Sequence, residues 1–422
     1  KIRKRIAYLA GINQKIVTMH YYDNMKLKDI AKTLNINENT VRTNLHRTKL
    51  KMKEKIIMNE SLHYKPIRLS IGHNGNMGRY DNLLNLLGQN ILYTCYKEPK
   101  TIEEITEDVQ VASCYLEEYL RQFLYLDWMT LNKDKYQTNF FISNSEFSIA
   151  DAKYTMKNIE NLALPIYEIC VNNFDKFKSI LRNALFSDEA LMWFFTAYFS
   201  QYLWGTFLEH YIENNVNTNF MIRKDGYKYA LFGGLVENIT IEDDRLRKYY
   251  INKSGMLTNK LFGKINRYVK LNSIVNGSNA SIYDSYELDL IYNIIKNDSM
   301  PNEKEKNIIA KYVKEEVVII IDGKPKWNVL FLEKAEAEEF HKLLEEMKQG
   351  IEVNLLQNYL IAYKEFYKRM IPNHLGDDMI DYYSTDVQIT SPTLYYLYEN
   401  KKLTMPKRNE CKAASEWFYI YD

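Results

Sequence analysis

Between Gln14 and Lys55 three stretches of helical periodicity are separated by two breaks, and this spacing restricts the fold more than any other feature of the chain. Gln14–Tyr22 puts Ile16, Val17, His20 and Tyr21 on one face, and Asp23-Asn24 then reads as a turn. Leu27–Leu34 follows, with Ile30, Ala31 and Leu34 apolar. Asn35-Ile36-Asn37 breaks the pattern, because asparagine tolerates a left-handed backbone, and Asn37 reads as an N-cap. A third helix runs from Glu38 to about Lys55, with Val41, Leu45 and Met52 inward. Ala31 suits a crossing point where two helices approach too closely for a larger side chain. Ile36 plugs the turn and Val41 anchors the third helix on the second. The spacing predicts a helix-turn-helix.

Charge gives this segment a direction. The chain carries 56 Lys/Arg and 54 Asp/Glu, a net +2 that is the average of two unlike parts. Residues 1–60 hold 14 Lys/Arg against 5 Asp/Glu, a net +9, which leaves 42 against 49, a net −7, on the rest. A basic module of this size suits a polyanion. The third helix turns Glu38, Asn39, Thr40, Arg42, Thr43, His46, Arg47 and Lys49 outward, and Lys51, Lys53 and Lys55 continue the charge. A recognition helix reads base edges with its N-terminal residues and holds phosphates with flanking cations. Arg42 can pair bidentately with guanine, and Glu38 can accept from cytosine N4. The candidate DNA contacts are therefore Lys28, Glu38, Asn39, Thr40, Arg42, Thr43, His46, Arg47, Lys49 and Lys51. A protein-docking module with a solvated basic face is the competing reading.

Tyr21-Tyr22-Asp23-Asn24-Met25, Ile30-Ala31, Leu34-Asn35-Ile36, Thr40-Val41-Arg42, Leu45-His46-Arg47 and Lys51-Met52 together resemble the fourth conserved region of bacterial sigma-70 family RNA polymerase sigma factors. The resemblance covers roughly residues 3–57. LuxR-type regulators share the early part but lack the Leu-His-Arg run followed by a lysine ladder. The resemblance implies recognition of a −35-like promoter element and docking on the β-flap of core RNA polymerase. No recognisable second region, the part that reads the −10 element, occurs in the sequence. The chain opens on Lys1 rather than Met, which reads as an internal start; on that reading the second region would lie upstream of Lys1, and its absence there would favour a regulator.

A shift of 75 positions repeats the skeleton: Ile30 falls on Ile105, Leu34 on Val109, Ile36 on Val111, Val41 on Leu116 and Leu45 on Leu120. Asn90–Lys97 reads as a preceding helix, and Thr101-x-x-Glu104 as a capping box. Met129–Phe140 reads as a strand pair around Lys133-Asp134-Lys135. Three helices and a hairpin predict a winged helix over 85–145. Its third helix carries Glu117 and Glu118, with only Arg121 positive nearby, so it is read mainly as a protein-contacting or relay module, with DNA binding as the alternative. Residues 61–84 read as a linker. The glycines of Lys65–Gly78 suggest a phosphate loop, but no Lys-Ser/Thr follows them.

Residues 146–422 read as an α+β effector or dimerisation region, with two subdomains as an option. Ala190–Leu208 has no formal charge through its centre, yet Ser200, Gln201, Gly205 and acidic flanks favour a buried core or dimerisation helix over a membrane span. Lys228–Leu235 and Glu316–Ile321 read as strands, with Asp322-Gly323 turning into Trp327–Leu332. Helices are expected at Lys334–Gln349 and Val353–Met370, and further strands at Tyr395–Tyr398 and Trp417–Tyr421.

No catalytic constellation is legible. The chain has no GxSxG, P-loop or HExxH, and Asp243-Asp244 and Asp377-Asp378 read as loop surface. Cys95, Cys114, Cys170 and Cys411 lie far apart without a CxxC pair, which gives no support to a metal site and suits reduced thiols in the cytoplasm. No cofactor or metal is expected. The fold class expected is mainly α with an α+β C-terminal part: helix-turn-helix, then winged helix, then a larger α+β domain. The expected partners are promoter DNA and the β-flap of core RNA polymerase, with a homodimer and a small-molecule or protein effector as further candidates and no membrane. A one-component ligand-sensing regulator and a polymerase-docking adaptor stay open beside the sigma-factor reading.

Overall fold

The computed structural model describes residue 9 and residues 11–57, 66–181, 185–251, 256–260, 264–265, 267–271 and 283–420. Among them helices dominate and the strands form small sheets, so the chain is mainly α with some β. It divides into two units: Lys1–Ser145 with Asn217–Ile239 and Met370–Tyr383, and Glu146–Val216 with Thr240–Arg369 and Ser384–Asp422.

The first unit opens with α1 (Gly11–Tyr21), α2 (Leu27–Leu34) and α3 (Glu38–Ile57). Their apolar positions meet in one small core of Ile16, Val17, Ile30, Ala31, Val41 and Leu45, with Leu34 and Ile36 packed against it. α2 stops because Asn35 turns left-handed, at φ 51° and ψ 48°, while its N–H still reaches the last helical carbonyls. Next come β1 (Leu69–Asn76), α4 (Leu86–Thr94), β2 (Lys100–Thr101), α5 (Ile102–Val109), α6 (Ser113–Tyr125), β3 (Met129–Asn132) and β4 (Lys135–Thr138). The last two strands close a sheet of order β2-β4-β3. The 75-residue repeat holds in the backbone. Gln110 ends α5 at φ 55°, as Asn35 ends α2, and Ile105, Leu116 and Leu120 are buried like Ile30, Val41 and Leu45. The capping box forms as expected: Glu104 N–H donates to Thr101 Oγ1 at 3.3 Å, and Thr101 N–H to Glu104 Oε2 at 2.8 Å.

Two more strands, β5 (Phe141–Ser143) and β6 (Lys228–Leu235), complete this unit's second sheet. β6 is central, antiparallel to β1 from Leu69↔Leu235 to Asn76↔Lys228 and parallel to β5 through Phe141↔Phe232. The stretch read as a linker therefore holds a strand, whose backbone is committed to a sheet rather than free to cradle phosphate. Gly75, at φ 95°, is required there, since a Cβ would lie 2.4 Å from the Lys228 carbonyl oxygen. The partner of β1 is distant in sequence, so no local turn signal announced it.

The second unit contains α7 (Ser145–Asn158), α8 (Glu160–Ile180) and α9 (Asp188–Asn215). α9 carries the uncharged run, and Ala190, Leu191 and Trp193–Ser200 are buried within the unit. Phe177 of α8 stacks on Phe195 at 4.3 Å, with Phe340 at 5.1 Å from the same ring. Among the described residues no helix is long and apolar enough to cross a membrane. The chain continues through α10 (Asp244–Ile251), β7 (Met256–Lys260), β8 (Arg267–Leu271), α11 (Ser285–Lys296) and α12 (Glu303–Lys314). Then follow β9 (Val318–Ile321), β10 (Lys324–Trp327), β11 (Leu330–Leu332), α13 (Lys334–Lys348) and α14 (Val353–Met370). α15 (Asp377–Ser384) belongs almost wholly to the first unit, and α16 (Thr390–Glu399) and β12 (Glu416–Tyr419) to the second.

The hairpin expected at Asp322-Gly323 forms, with φ of 52° and 78° at its two central residues. The strand expected at Tyr395–Tyr398 does not: these residues lie in α16. Every residue from Thr390 to Leu397 is buried, so the helix has no polar face and its aromatic run mimics a core strand.

A second internal repeat, at a shift of 189 positions, is carried by the backbone. α6 and α12 are each followed by a residue at positive φ, Asp127 at 54° and Glu316 at 60°. The next residue returns its N–H to the helix, Trp128 to Phe123 O at 2.8 Å and Val317 to Tyr312 O at 3.0 Å. Hairpins β3–β4 and β9–β10 turn at Lys133 and Asp322, both at positive φ. Asn139 and Asn328 then tie each hairpin down, donating Nδ2–H to the carbonyls of Asp127 and Glu316 at 3.3 and 2.9 Å. β5 and β11 follow, then α7 and α13. β11 runs parallel to β12, whose other edge is antiparallel to β8, which matches the β5-β6-β1 arrangement of the first unit.

Candidate nucleic-acid interface

The outward face of α3 is built by what its inward face buries. Val41, Leu45 and Thr48 are buried, and helical geometry therefore points Asn39, Thr43, His46 and Leu50 away from the core. Thr40 and Arg47 flank this line on one side, with Glu38, Arg42 and Lys49 on the other. Asn37 starts the helix by accepting the Asn39 N–H on Oδ1 at 2.8 Å. Among the sequence-derived candidates, Lys28, Asn39, Thr40, Arg42, Thr43, His46, Arg47 and Lys49 are exposed and Glu38 is half-buried. The Lys51 side chain lies outside the described residues. Lys28 stands on α2 and the other described candidates on α3.

Two of these side chains engage one another. Arg42 Nη2 lies 3.1 Å from Glu38 Oε1, one helical turn back, with the two side chains 65% and 42% exposed. The pair holds the guanidinium along the first turns of α3, where base edges would be met, and offers a donor fork beside an acceptor carboxylate. Such an exposed pair is weak, about 0.2–1 kcal/mol, so a nucleic acid can displace it. Glu38→Ala is therefore expected to raise affinity for random-sequence duplex DNA by up to about fivefold through the freed cation, a gain within that range. Fluorescence anisotropy at fixed salt checks it, and a loss of affinity would make Glu38 a contact rather than a restraint. Lys49 turns differently, with Nζ 5.2 Å above the Tyr21 ring of α1.

Leu50 was not among the sequence-derived candidates, yet it is 48% exposed and continues the line of Asn39, Thr43 and His46. Its signal was an apolar residue seven positions beyond Thr43 on a polar face. Tyr21 and Tyr22, at the end of α1, are also exposed. Within the same unit the buried Ser113 hydroxyl donates to Leu9 O at 2.9 Å, joining the start of α6 to the segment before α1.

α6 presents a different chemistry. Tyr115 and Tyr125 are exposed, and Glu118 pairs with Arg121 and accepts from Gln122 at 2.9 Å. Those two donors, Gln122 first, hold the Glu118 carboxyl below its ordinary range, so it stays anionic. An anionic, aromatic face repels phosphate and suits a protein surface.

No group of three or more potential metal ligands occurs among the described residues. All four cysteines are free thiols; burial pushes Cys95 up to about 12 and raises Cys170 further, whereas Cys114 is exposed. An alkylating reagent is expected to label Cys114 in the native protein and to reach Cys95 and Cys170 only after unfolding, as peptide mapping would report.

Residues 1–52 match the family described as Sigma-70, region 4, which spans α1, α2 and most of α3. No curated protein and no solved structure matches the chain.

Proposed function

We propose that this chain is a DNA-binding transcription factor, a sigma-70 family sigma factor or a fragment of one, that directs or modulates RNA polymerase through a −35-like promoter element. The observation that carries the reading is the coincidence of the matched segment with a basic, outward α3 on a well-packed helix-turn-helix. Arg42, with Glu38 beside it, and Asn39, Thr40 and Thr43 face base edges. Lys28, His46, Arg47, Lys49 and Lys51 hold phosphates. No bond is made or broken; binding is electrostatic docking followed by base readout.

In this reading residues 1–60 are the DNA reader and 85–145 a winged helix whose acidic α6 meets protein. Residues 146–422 form an effector or dimerisation region. A cavity of about 710 Å³ in the second unit supports an effector site: Tyr292, Trp327 and Phe331 supply aromatic wall, and Lys296, Lys326 and Glu333 supply charge. The adaptor reading is favoured instead by the exposed Tyr21, Tyr22 and Leu50, which suit protein contact. A gel shift on promoter fragments, paired with retention of core polymerase on the immobilised 422-residue chain, decides between them. Shifted DNA with retained polymerase supports the sigma reading, and retained polymerase without a DNA shift makes the adaptor correct. Shifted DNA without polymerase points to a one-component regulator.

A further inference from the structure

The two internal repeats allow the outward face of three successive helices to be compared position by position. At equivalent places α3 carries Thr40, Thr43, Arg47 and Leu50; α6 carries Tyr115, Glu118, Gln122 and Tyr125; α12 carries Lys304, Asn307, Lys311 and Lys314. The α12 residues are spaced i, i+3, i+7 and i+10, so they line one side of the helix, and all four are exposed.

The surroundings of α12 repeat the helix-turn-helix plan. Ile291, Ile294, Ile309 and Tyr312 bury the inner faces of α11 and α12 in one core. Asp298, at φ 49°, makes the left-handed exit from α11, and Asn302 opens α12 with a capping box to Glu305. The hairpin β9–β10 follows α12 as β3–β4 follows α6. The charges are unequal. Lys311 pairs with Glu287 and Lys306 with Glu303. No carboxylate among the described residues lies within ion-pair distance of Lys304 or Lys314. Glu315 directly follows Lys314 and, with Glu287 and Asp284, acts on Lys311, while Glu316 comes next and Asp322 sits at the hairpin turn, so carboxylates border the cationic stripe at its C-terminal end.

We propose that α12 is a second DNA-contacting helix, in which Lys304, Lys311 and Lys314 take backbone phosphates of duplex DNA and Asn307 adds a hydrogen-bonding side chain between them. Lys311 exchanges Glu287 for phosphate on binding, and Tyr312 Oη keeps that carboxylate occupied at 3.0 Å. Phosphate contacts are sequence-independent, so this helix contributes grip rather than readout. The proposal does not rest on the reading of α3. Two contacts on one chain raise the effective concentration of the second once the first has bound.

Anisotropy titrations of the 422-residue chain with a long random-sequence duplex, across a range of potassium chloride, test it. The triple variant Lys304→Gln/Lys311→Gln/Lys314→Gln is expected to flatten the log-affinity against log-salt slope by about 2.7, and Lys304→Gln alone by about 0.9. The charge-preserving triple replacement by arginine restores the slope, which separates lost phosphate contacts from a misfolded unit. If the triple glutamine variant leaves slope and affinity unchanged while Arg47→Gln lowers both, α12 does not meet DNA and the α3 reading survives. If the triple variant flattens the slope while Arg47→Gln has no effect, α12 stands and the α3 reading falls.

Discussion

With Arg42 and Arg47 both replaced by alanine, the chain is expected to bind its preferred duplex roughly 30- to 1000-fold more weakly, a loss of about 2–4 kcal/mol. The two substitutions act differently. Arg42 stands in the second turn of α3, paired with Glu38, and its fork suits the O6 and N7 acceptors of guanine. Its loss is expected at one base position, and a duplex altered at that position should show little further loss. Arg47 lies on the opposite flank, exposed and farther along the helix, where the proposed reading puts backbone phosphates. Its loss weakens all sequences alike and flattens the salt slope by about one. Competition titrations with a panel of single-base variants read the two effects apart. Equal losses on every duplex for both residues would remove Arg42 from base readout.

The other large effect concerns stability. Glu416 is fully buried at the head of β12, its Oε1 3.4 Å from Lys412 Nζ and its Oε2 accepting from Tyr283 Oη at 2.8 Å. The Lys412 side chain is itself only 12% exposed. Lys412→Met removes a cation from this buried carboxylate, and breaking a buried pair in this way typically costs about 3–5 kcal/mol. Replacing both partners, as Lys412→Met/Glu416→Gln, removes the charge and recovers much of that loss, because the desolvation cost disappears with it. Urea denaturation of the two variants gives the comparison. A single variant as stable as the parent would mean that Lys412 is not what compensates the Glu416 carboxylate.

The helix-turn-helix was legible because its signals are local. Ala31 at the crossing, Asn35 in the turn and Val41 at the anchor sit within a dozen residues, and each meets its partner along one short helical pair. The capping box at Thr101 and the hairpin at Asp322-Gly323 were legible for the same reason. Exposure of Asn39, Thr40, Arg42, Thr43, His46, Arg47 and Lys49 on α3 followed from helical periodicity once the inward positions were assigned. What misled was burial on every side: α16 hides its period because Thr390–Leu397 has no polar face. β1 hid because its partner lies beyond α9, and Gly75 serves a strand contact that only the sheet reveals.

From its sequence alone this protein was already divided into a basic, outward-facing helix of defined register and an acidic remainder, since charge and 3.6-residue periodicity are properties of the chain. Tertiary structure decided which distant strands pair, and it brought Glu416 to Lys412 and Tyr283. It also decided the 189-residue repeat. That repeat is written in left-handed residues, returned N–H bonds and the asparagine ties Asn139 and Asn328, and most of these bonds join backbone atoms that side-chain identity specifies only loosely.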